Sequence, residues 1–488
     1  MMTERRPPNI LFIICDQLRQ DALGCTGGWV RTPNIDRIAA SGVRFVNCVT
    51  TAPICIPARF GLATGQYPHN MGIWQNRTYT LSPEAPTWMQ AVRDAGYRTS
   101  VFGKTHLHPH ALPPDSLDLR EKEHLINAYG LDDVDEVTGP QAAVNTLSNL
   151  TARWEAKGIW DAFKADVRER VSSKPHLVRP SILPLEDYYD VYVGEQATGY
   201  LRDYNRDQPW FCWVSFPGPH EPWDAPEPYA SMYDPTSMPP PLGPIADNPD
   251  RPKGNLDGQL SRAPTLEPGE AEAMRANYAG NVSLIDDQIG HILDAIEVRG
   301  ELENTVIALV SDHGELNGDH GLIKKGNFLN GAVRVPLVVR TPETAKSAVA
   351  GTVSESLVEW IDLGPTLVDF AGGEITYEQF GRSLRPVLDD PQAQHRREVL
   401  SEFRGEVMMM DHRWKMVVNT SGEPYLFFDL QNDPDECRNL SGSPEVREIE
   451  RDLSIRLFQR LIKNQRHSPW PALAGQGTGS SEVGEGAG

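Results

Sequence analysis

The sequence predicts an α/β protein: a mostly parallel sheet covered on both faces by helices, with a smaller α+β unit after it. Three observations predict this. Three runs, NILFIICD (Asn9–Asp16), Trp210–Phe216 and Thr305–Val310, are almost continuously apolar, as in strands buried on both faces. Helical periodicity alternates with them, since Val282, Ile285, Ile289, Ile292 and Ile296 recur at steps of three and four just ahead of the Thr305 run. Beyond about Arg396 the pattern changes to short hairpin-like strands followed by one helix.

In chain order, Asn9–Asp16 is the first strand and ends in Asp16-Gln17. A short helix is expected over Pro57–Thr64, because proline suits the first helical position and Gly65 is a natural stop. That places Cys55 just ahead of the helix, where the positive end of the dipole attracts anions and lowers a thiol pKa. Tyr97–Phe102 is a weaker strand, interrupted by Arg98, Thr99 and Ser100. Residues 111–200 and 217–268 are rich in Pro, Asp and Glu and read as long insertions on the loop side of the sheet. Tyr188, Tyr189 and Trp223 in them are candidates to line a substrate pocket. From about 396 to 470, EVLSEFRGEVMMMDHRWKMVV and EPYLFFDLQNDPDECRNL read as hairpin strands with a turn at Asn432-Asp433-Pro434. A helix follows over roughly Pro444–Ile462. The tail 471–488 has a Gly-x-Gly-x-Gly run with no strand before it and no helix after it, so it reads as a flexible tail and not as a nucleotide site.

Composition narrows the function. The chain has 488 residues and a formal net charge of −21, which repels nucleic acid and anionic lipid; neither is an expected partner. No stretch approaches the ~18–20 apolar residues of a membrane span, and the start MMTERRPPN lacks a signal-peptide pattern, so a soluble cytoplasmic protein is expected. Six cysteines lie scattered without CxxC spacing, which points to free thiols and to no zinc motif.

Each predicted strand ends in a polar cluster: Asp16-Gln17, then Gly103-Lys104-Thr105-His106, PGPHEPW with His220, and Ser311-Asp312-His313-Gly314. Ligands of open α/β sheets bind beyond the carboxyl ends of the strands. Each cluster alone has an ordinary reading, as a helix cap, a hydrogen-bonded histidine or a solvated lysine. Jointly they deliver carboxylates, an amide and imidazoles to one edge. Asp16, Gln17, Asp312 and His313 would suit one divalent cation, Ca²⁺ for the oxygen donors or Mn²⁺ given the imidazole. Arg59, one turn from Cys55, is a bidentate partner for a tetrahedral oxyanion.

At this point the residues resemble a known family. CIPAR (Cys55–Arg59) resembles the C-x-P-x-R maturation motif of the type I sulfatases of the alkaline phosphatase superfamily. TPNIDRIAASGVRF, ATGQYPHNMG and SDHGELNGDHGLIKKG resemble further segments of that family, and RWKMVV with YLFFDLQNDPDECRNL resembles its C-terminal part. The resemblance implies an alkaline phosphatase-like large mixed sheet over 1–395 and an α+β subdomain over 396–470. It implies that a maturation enzyme oxidises Cys55 to formylglycine, whose hydrate is the nucleophile. Asp16, Gln17, Asp312 and His313 would ligate the metal, with residue 55 adding an oxygen. Arg59 would orient the hydrate, Lys104 would bind ester oxygens and His106 would contact the hydrate. His220 and Lys325 would face the leaving oxygen, and Asn76 would hydrogen-bond the anion.

Three departures bear on the reading. Ala58 stands where the motif commonly has Ser, Gln17 where the first metal element commonly has a second Asp, and His313 where Asn is common. The last two are similar to choline sulfatases and phosphonate monoester hydrolases of the superfamily. Lys104 and His106, in contrast, resemble the sulfatase version of the site, so the expected function is a metal-dependent sulfatase acting on a small-molecule or saccharide sulfate ester. The alternatives are a phosphonate monoester or phosphodiester hydrolase on the same site, or a non-catalytic binder of sulfated ligands. A homo-oligomer is compatible with this family.

Overall fold

The computed structural model describes residues 7–110 and 117–470, so the tail expected at 471–488 lies outside the described residues. The large sheet has strands β1 (Asn9–Cys15), β2 (Val43–Val49), β3 (Arg98–Gly103), β4 (Asp133–Glu136), β5 (Trp210–Phe216), β6 (Thr305–Val310), β7 (Arg334–Arg340) and β8 (Thr352–Glu359). Their order is β8-β2-β7-β6-β1-β5-β3-β4. Only β7 runs antiparallel to its neighbours β2 and β6; the other pairings are parallel. The sheet is thus mixed and mostly parallel.

The continuous apolar runs are explained by burial on both faces. Ile10, Phe12 and Ile14 of β1 join one core cluster, while Leu11, Ile13 and Cys15 join the other. The helices that bear on the argument are α1 (Cys55–Thr64), α2 (Asn149–Ala156), α3 (Trp160–Ser173), α4 (Tyr189–Asp203), α5 (Glu270–Val298) and α6 (Arg447–Lys463). The stripe Val282, Ile285, Ile289, Ile292 and Ile296 is buried along α5, which packs against α4.

Three expectations are corrected. Residues 111–200 are not simply a loop insertion: this stretch supplies β4, α2, α3 and most of α4. Acidic composition hid these elements because their buried anchors, such as Trp154, Trp160 and Phe163, are interleaved with charged residues. Tyr188, Tyr189 and Trp223 line no open pocket: all three are buried. The two tyrosine hydroxyls hydrogen-bond Asp224 at 3.1 and 2.8 Å, and the indole N–H donates to Asn317. Finally, α1 begins at Cys55 and not at Pro57, because the Ala58 N–H bonds the Ile54 carbonyl and makes Ile54 the cap. Pro57 then falls at the third helical position, where no intrahelical partner for its missing N–H is lost.

The second sheet is an antiparallel meander of β9 (Val399–Phe403), β10 (Glu406–Met410), β11 (Trp414–Val418) and β12 (Pro424–Asp429). The turn expected at Asn432-Asp433-Pro434 follows the last strand and joins no hairpin, since pairing ends at Asp429. Leu400, Met409, Met416 and Phe427 share one core with the large sheet, and Leu453 and Leu457 of α6 close it. Among the described residues no helix is long and apolar enough to cross a membrane.

Candidate active site

The strands that end in polar clusters are spatial neighbours in the order β6-β1-β5-β3, all parallel, so their carboxyl ends share one edge. Asp16 follows β1, with its N–H on the Phe216 carbonyl at the end of β5. Lys104 follows β3, where Gly103 at φ 109° lies so close to β5 that a Cβ would strike the Ser215 carbonyl. Helix α1 points its N-terminus at this edge and brings Cys55 in.

The result is a buried cluster. One ligand atom from each of Asp16, Cys55, Asp312 and His313 lies within 4.8 Å of the others, and no side chain among them exceeds 1% exposure. Cys55 Sγ is 3.1 Å from His313 Nε2, and 3.9 Å from both Asp16 Oδ1 and Lys104 Nζ. Arg59 ties the two carboxylates together: Nε donates to Asp312 Oδ2 at 2.8 Å and Nη2 to Asp16 Oδ2 at 3.1 Å. Its Nη1 donates to the Lys104 carbonyl and to Ser215 Oγ. Lys104 Nζ donates to Asp16 Oδ2 at 2.5 Å.

These charges set one another's ionisation. Burial raises the Asp16 carboxyl, but Lys104 and Arg59 hold it far below the usual carboxylate range. Burial and Asp16 push the Cys55 thiol up; Lys104, His313 and Lys325 outweigh them and bring it to about 5. Burial lowers His313, yet Asp312 and Cys55 raise it to about 9. Two carboxylates, an imidazole and a depressed thiol converging in a buried pocket are the donor chemistry of a divalent cation site.

A second group lies beside this cluster. Lys325 Nζ is 2.7 Å from His220 Nε2, and His220 Nδ1 is 2.7 Å from the Glu221 carbonyl. A carbonyl only accepts, so Nδ1 carries a proton and a neutral ring presents Nε2 to the ammonium. Burial opposes the charge on Lys325, but Glu221, Cys55 and Asp16 raise its pKa. Gln17 belongs to this group: its amide oxygen accepts from Lys325, and its amide nitrogen donates to Glu221 at 2.8 Å and to Glu315. Lys324 reaches Glu221 at 3.2 Å. His106 lies on the loop after Lys104, its pKa driven well down by burial and then by the charge of Lys104. The side-chain Oδ1 of Asn76 accepts the Ile56 N–H at 2.9 Å, at the N-terminal end of α1. Gln17, His106 and Lys324 all have φ between 56° and 70°, a left-handed backbone that costs non-glycine residues ~1–3 kcal/mol and clusters here.

The fold therefore gathers Asp16, Cys55, Arg59, Lys104, Asp312 and His313 around one point, with Gln17, His220 and Lys325 joined beside it. Three participants were not singled out from the sequence. Glu221 and Glu315 sit inside the motifs PGPHEPW and SDHGE and were legible as carboxylates there. Ser215 lies within a strand and carries no sequence signal.

Comparison with known proteins bears directly on this site. The sulfatase family model matches residues 8–373, three quarters of the chain, and the model of the N-sulphoglucosamine sulphohydrolase C-terminal region matches residues 318–464. The chain belongs to the sulfatase family. This is a family of metal-dependent hydrolases of the alkaline phosphatase superfamily. The multifunctional alkaline phosphatase superfamily protein PehA of Trinickia caryophylli is 30% identical over 94% of this chain and 98% of its own. An arylsulfatase of Clostridium perfringens is 30% identical over 90% of this chain and 92% of its own. The crystal structure of the phosphonate monoester hydrolase of Agrobacterium radiobacter superposes with a TM-score of 0.75 at 25% identity, over 94% of this chain and 96% of its own.

Proposed function

We propose that this sulfatase-family chain hydrolyses sulfuric esters with residue 55 as the nucleophile after a maturation enzyme has oxidised Cys55 to formylglycine. One observation carries the reading. Cys55, the first residue of helix α1, places its Sγ in contact with His313 and within 4 Å of Lys104 and Asp16, where the polar ends of three strands meet.

Asp16, Asp312 and His313 would hold a divalent cation together with residue 55, and Gln17 would join them by turning its amide oxygen from Lys325; Ca²⁺ is the expected ion and Mn²⁺ the alternative. The ion would supply Lewis-acid polarisation of the ester oxygens. In the mature residue one geminal hydroxyl attacks sulfur and the alcohol departs. Loss of the proton from the second hydroxyl then expels sulfate and restores the aldehyde, which water rehydrates. Arg59, locked by its four hydrogen bonds, orients the hydrate. Lys104 faces ester oxygens, and His106 and Asn76 flank the hydrate and the anion. Lys325, sharing its proton with the Nε2 of His220, protonates the departing oxygen.

A second reading, a phosphonate monoester or phosphodiester hydrolase, is favoured by Gln17 and His313 and by the likeness to the Agrobacterium enzyme. The test is kcat/KM for an aryl sulfate and an aryl phosphonate monoester, side by side, on protein co-produced with a maturation enzyme. Preference for the sulfate supports the first reading, and preference for the phosphonate replaces it with the second. Full activity in Cys55→Ala would sink both.

A further inference from the structure

Outside the active-site cluster, a second group of metal-ligating side chains converges on one point. The loop leaving β3 carries Lys104 and His106 into the active site and then presents His108 and His110. Glu136 ends β4, the edge strand paired with β3, in register with Gly103. His108 Nε2 is 2.7 Å from Glu136 Oε2, and His110 Nε2 is 2.9 Å from Glu136 Oε1. All three side chains are at most 2% exposed, and their ligand atoms lie within 4.8 Å of one another. We propose that His108, His110 and Glu136 form a second metal site, for a first-row transition ion such as Zn²⁺, which staples the Lys104–His110 loop to the edge of the sheet.

Proton accounting supports this. His108 Nδ1 lies 3.0 Å from the Pro109 carbonyl, which can only accept, so Nδ1 carries the proton. Burial opposes a second proton on this ring but Glu136 raises its pKa, so without an ion Nε2 shares a proton with the carboxylate, and a bound cation takes that proton's place. An imidazole whose far N–H is held by a backbone carbonyl is also the usual support of a metal ligand. At His110 the backbone N–H of His106 points at Nε2 from 3.2 Å, which opposes a proton there. Its Nδ1 is buried without a partner, so no protein acceptor favours a second proton on this ring.

Two imidazoles and one carboxylate are a donor set for zinc and its first-row neighbours, not for Ca²⁺. Metal–ligand bonds of about 2.0–2.1 Å at tetrahedral angles place donors about 3.3 Å apart. Entry of the ion therefore widens both contacts by about half an ångström. The bent loop after Lys104 brings both rings onto one carboxylate, and Glu136 is the only carboxylate in contact with either ring among the described residues. Thr105 Oγ1 donates to the same carboxylate and ties the loop segment between Lys104 and His106 to the site.

The test is metal stoichiometry, independent of turnover. The triple variant Cys55→Ala/Asp312→Asn/His313→Ala strips three of the four active-site donors and leaves this cluster whole. The full chain bearing it is saturated with Zn²⁺, freed of excess ion and analysed by mass spectrometry of the metal. One ion per chain is expected, falling to none when His108→Ala is added. Replacing Zn²⁺ with Co²⁺ should give visible d–d bands in the triple variant that its His108→Ala derivative lacks. A folded triple variant that binds no ion overturns the proposal, as does a folded His108→Ala derivative that keeps the ion. Should that derivative not fold, the Co²⁺ spectrum of the triple variant decides alone: bands of nitrogen ligation support the site, and an oxygen-only spectrum rejects it.

Discussion

Replacing Lys104 with alanine isolates one contribution to turnover. The ammonium is 2% exposed, 2.5 Å from Asp16 Oδ2 and 3.9 Å from Cys55 Sγ, the position of the proposed nucleophile. A unit charge about 4 Å from developing negative charge is worth at most ~4 kcal/mol at an effective dielectric constant of about 20. Removing one such preorganised donor typically costs ~2.7–4 kcal/mol. A loss of about 3 kcal/mol corresponds to a ~150-fold fall in kcat/KM. The fold should survive, because Asp16 keeps its 3.1 Å partner in Arg59. The assay is kcat/KM for nitrophenyl sulfate on matured protein, with metal content measured on the same sample. A loss smaller than ~5-fold at full metal occupancy would refute the placement of Lys104 on the ester oxygens. A loss matched by missing metal would assign Lys104 to holding Asp16 instead.

Lys325→Ala should cost more with alkyl sulfates than with nitrophenyl sulfate, since only a poor leaving group needs the proton held 2.7 Å from His220; equal losses would remove Lys325 from that role. In unmatured, metal-free protein Cys55 should remain a thiolate at neutral pH and become protonated as pH falls through about 5, because a depressed acid stays ionised above its own pKa. The difference in ultraviolet thiolate absorbance between this protein and Cys55→Ala checks that, and a midpoint near 9 would contradict the charge balance drawn from Lys104, His313 and Lys325. Arg396→Met should destabilise the chain by about 3–5 kcal/mol, read as a lower urea midpoint, because Asp362 at 2.9 Å and Glu359 at 3.2 Å lose their buried partner. An unchanged midpoint would mean that the remaining neighbours suffice.

Much of the site was legible as residue types because catalysis on a parallel sheet places its groups where strands end. Asp16, His220 and Asp312 each follow an apolar run, and Lys104 a weaker, interrupted one, so local sequence determined both the runs and their polar stops. The helix opened by Cys55 was legible from Pro57 and Gly65, although its first residue was not, because the cap is a backbone bond that any residue at Ile54 could make. Periodicity also determined α5, whose apolar stripe is long enough to stand out from its polar face.

Tertiary structure decided what long-range pairing controls. The order β6-β1-β5-β3 brings together residues up to about three hundred positions apart, and no local pattern encodes which strands become neighbours. Ser215 meets Arg59 only because β5 lies beside β1, and the Gln17 amide is turned by Glu221 and Glu315 from two other strand ends. The helices within 111–200 were hidden because a surface rich in acidic residues can cover a few large buried anchors. Glu136 shows the same limit: its meeting with His108 and His110 depends on the pairing of β4 with β3, a contact set by hydrogen bonds between distant backbones and not by the side chains that profit from it.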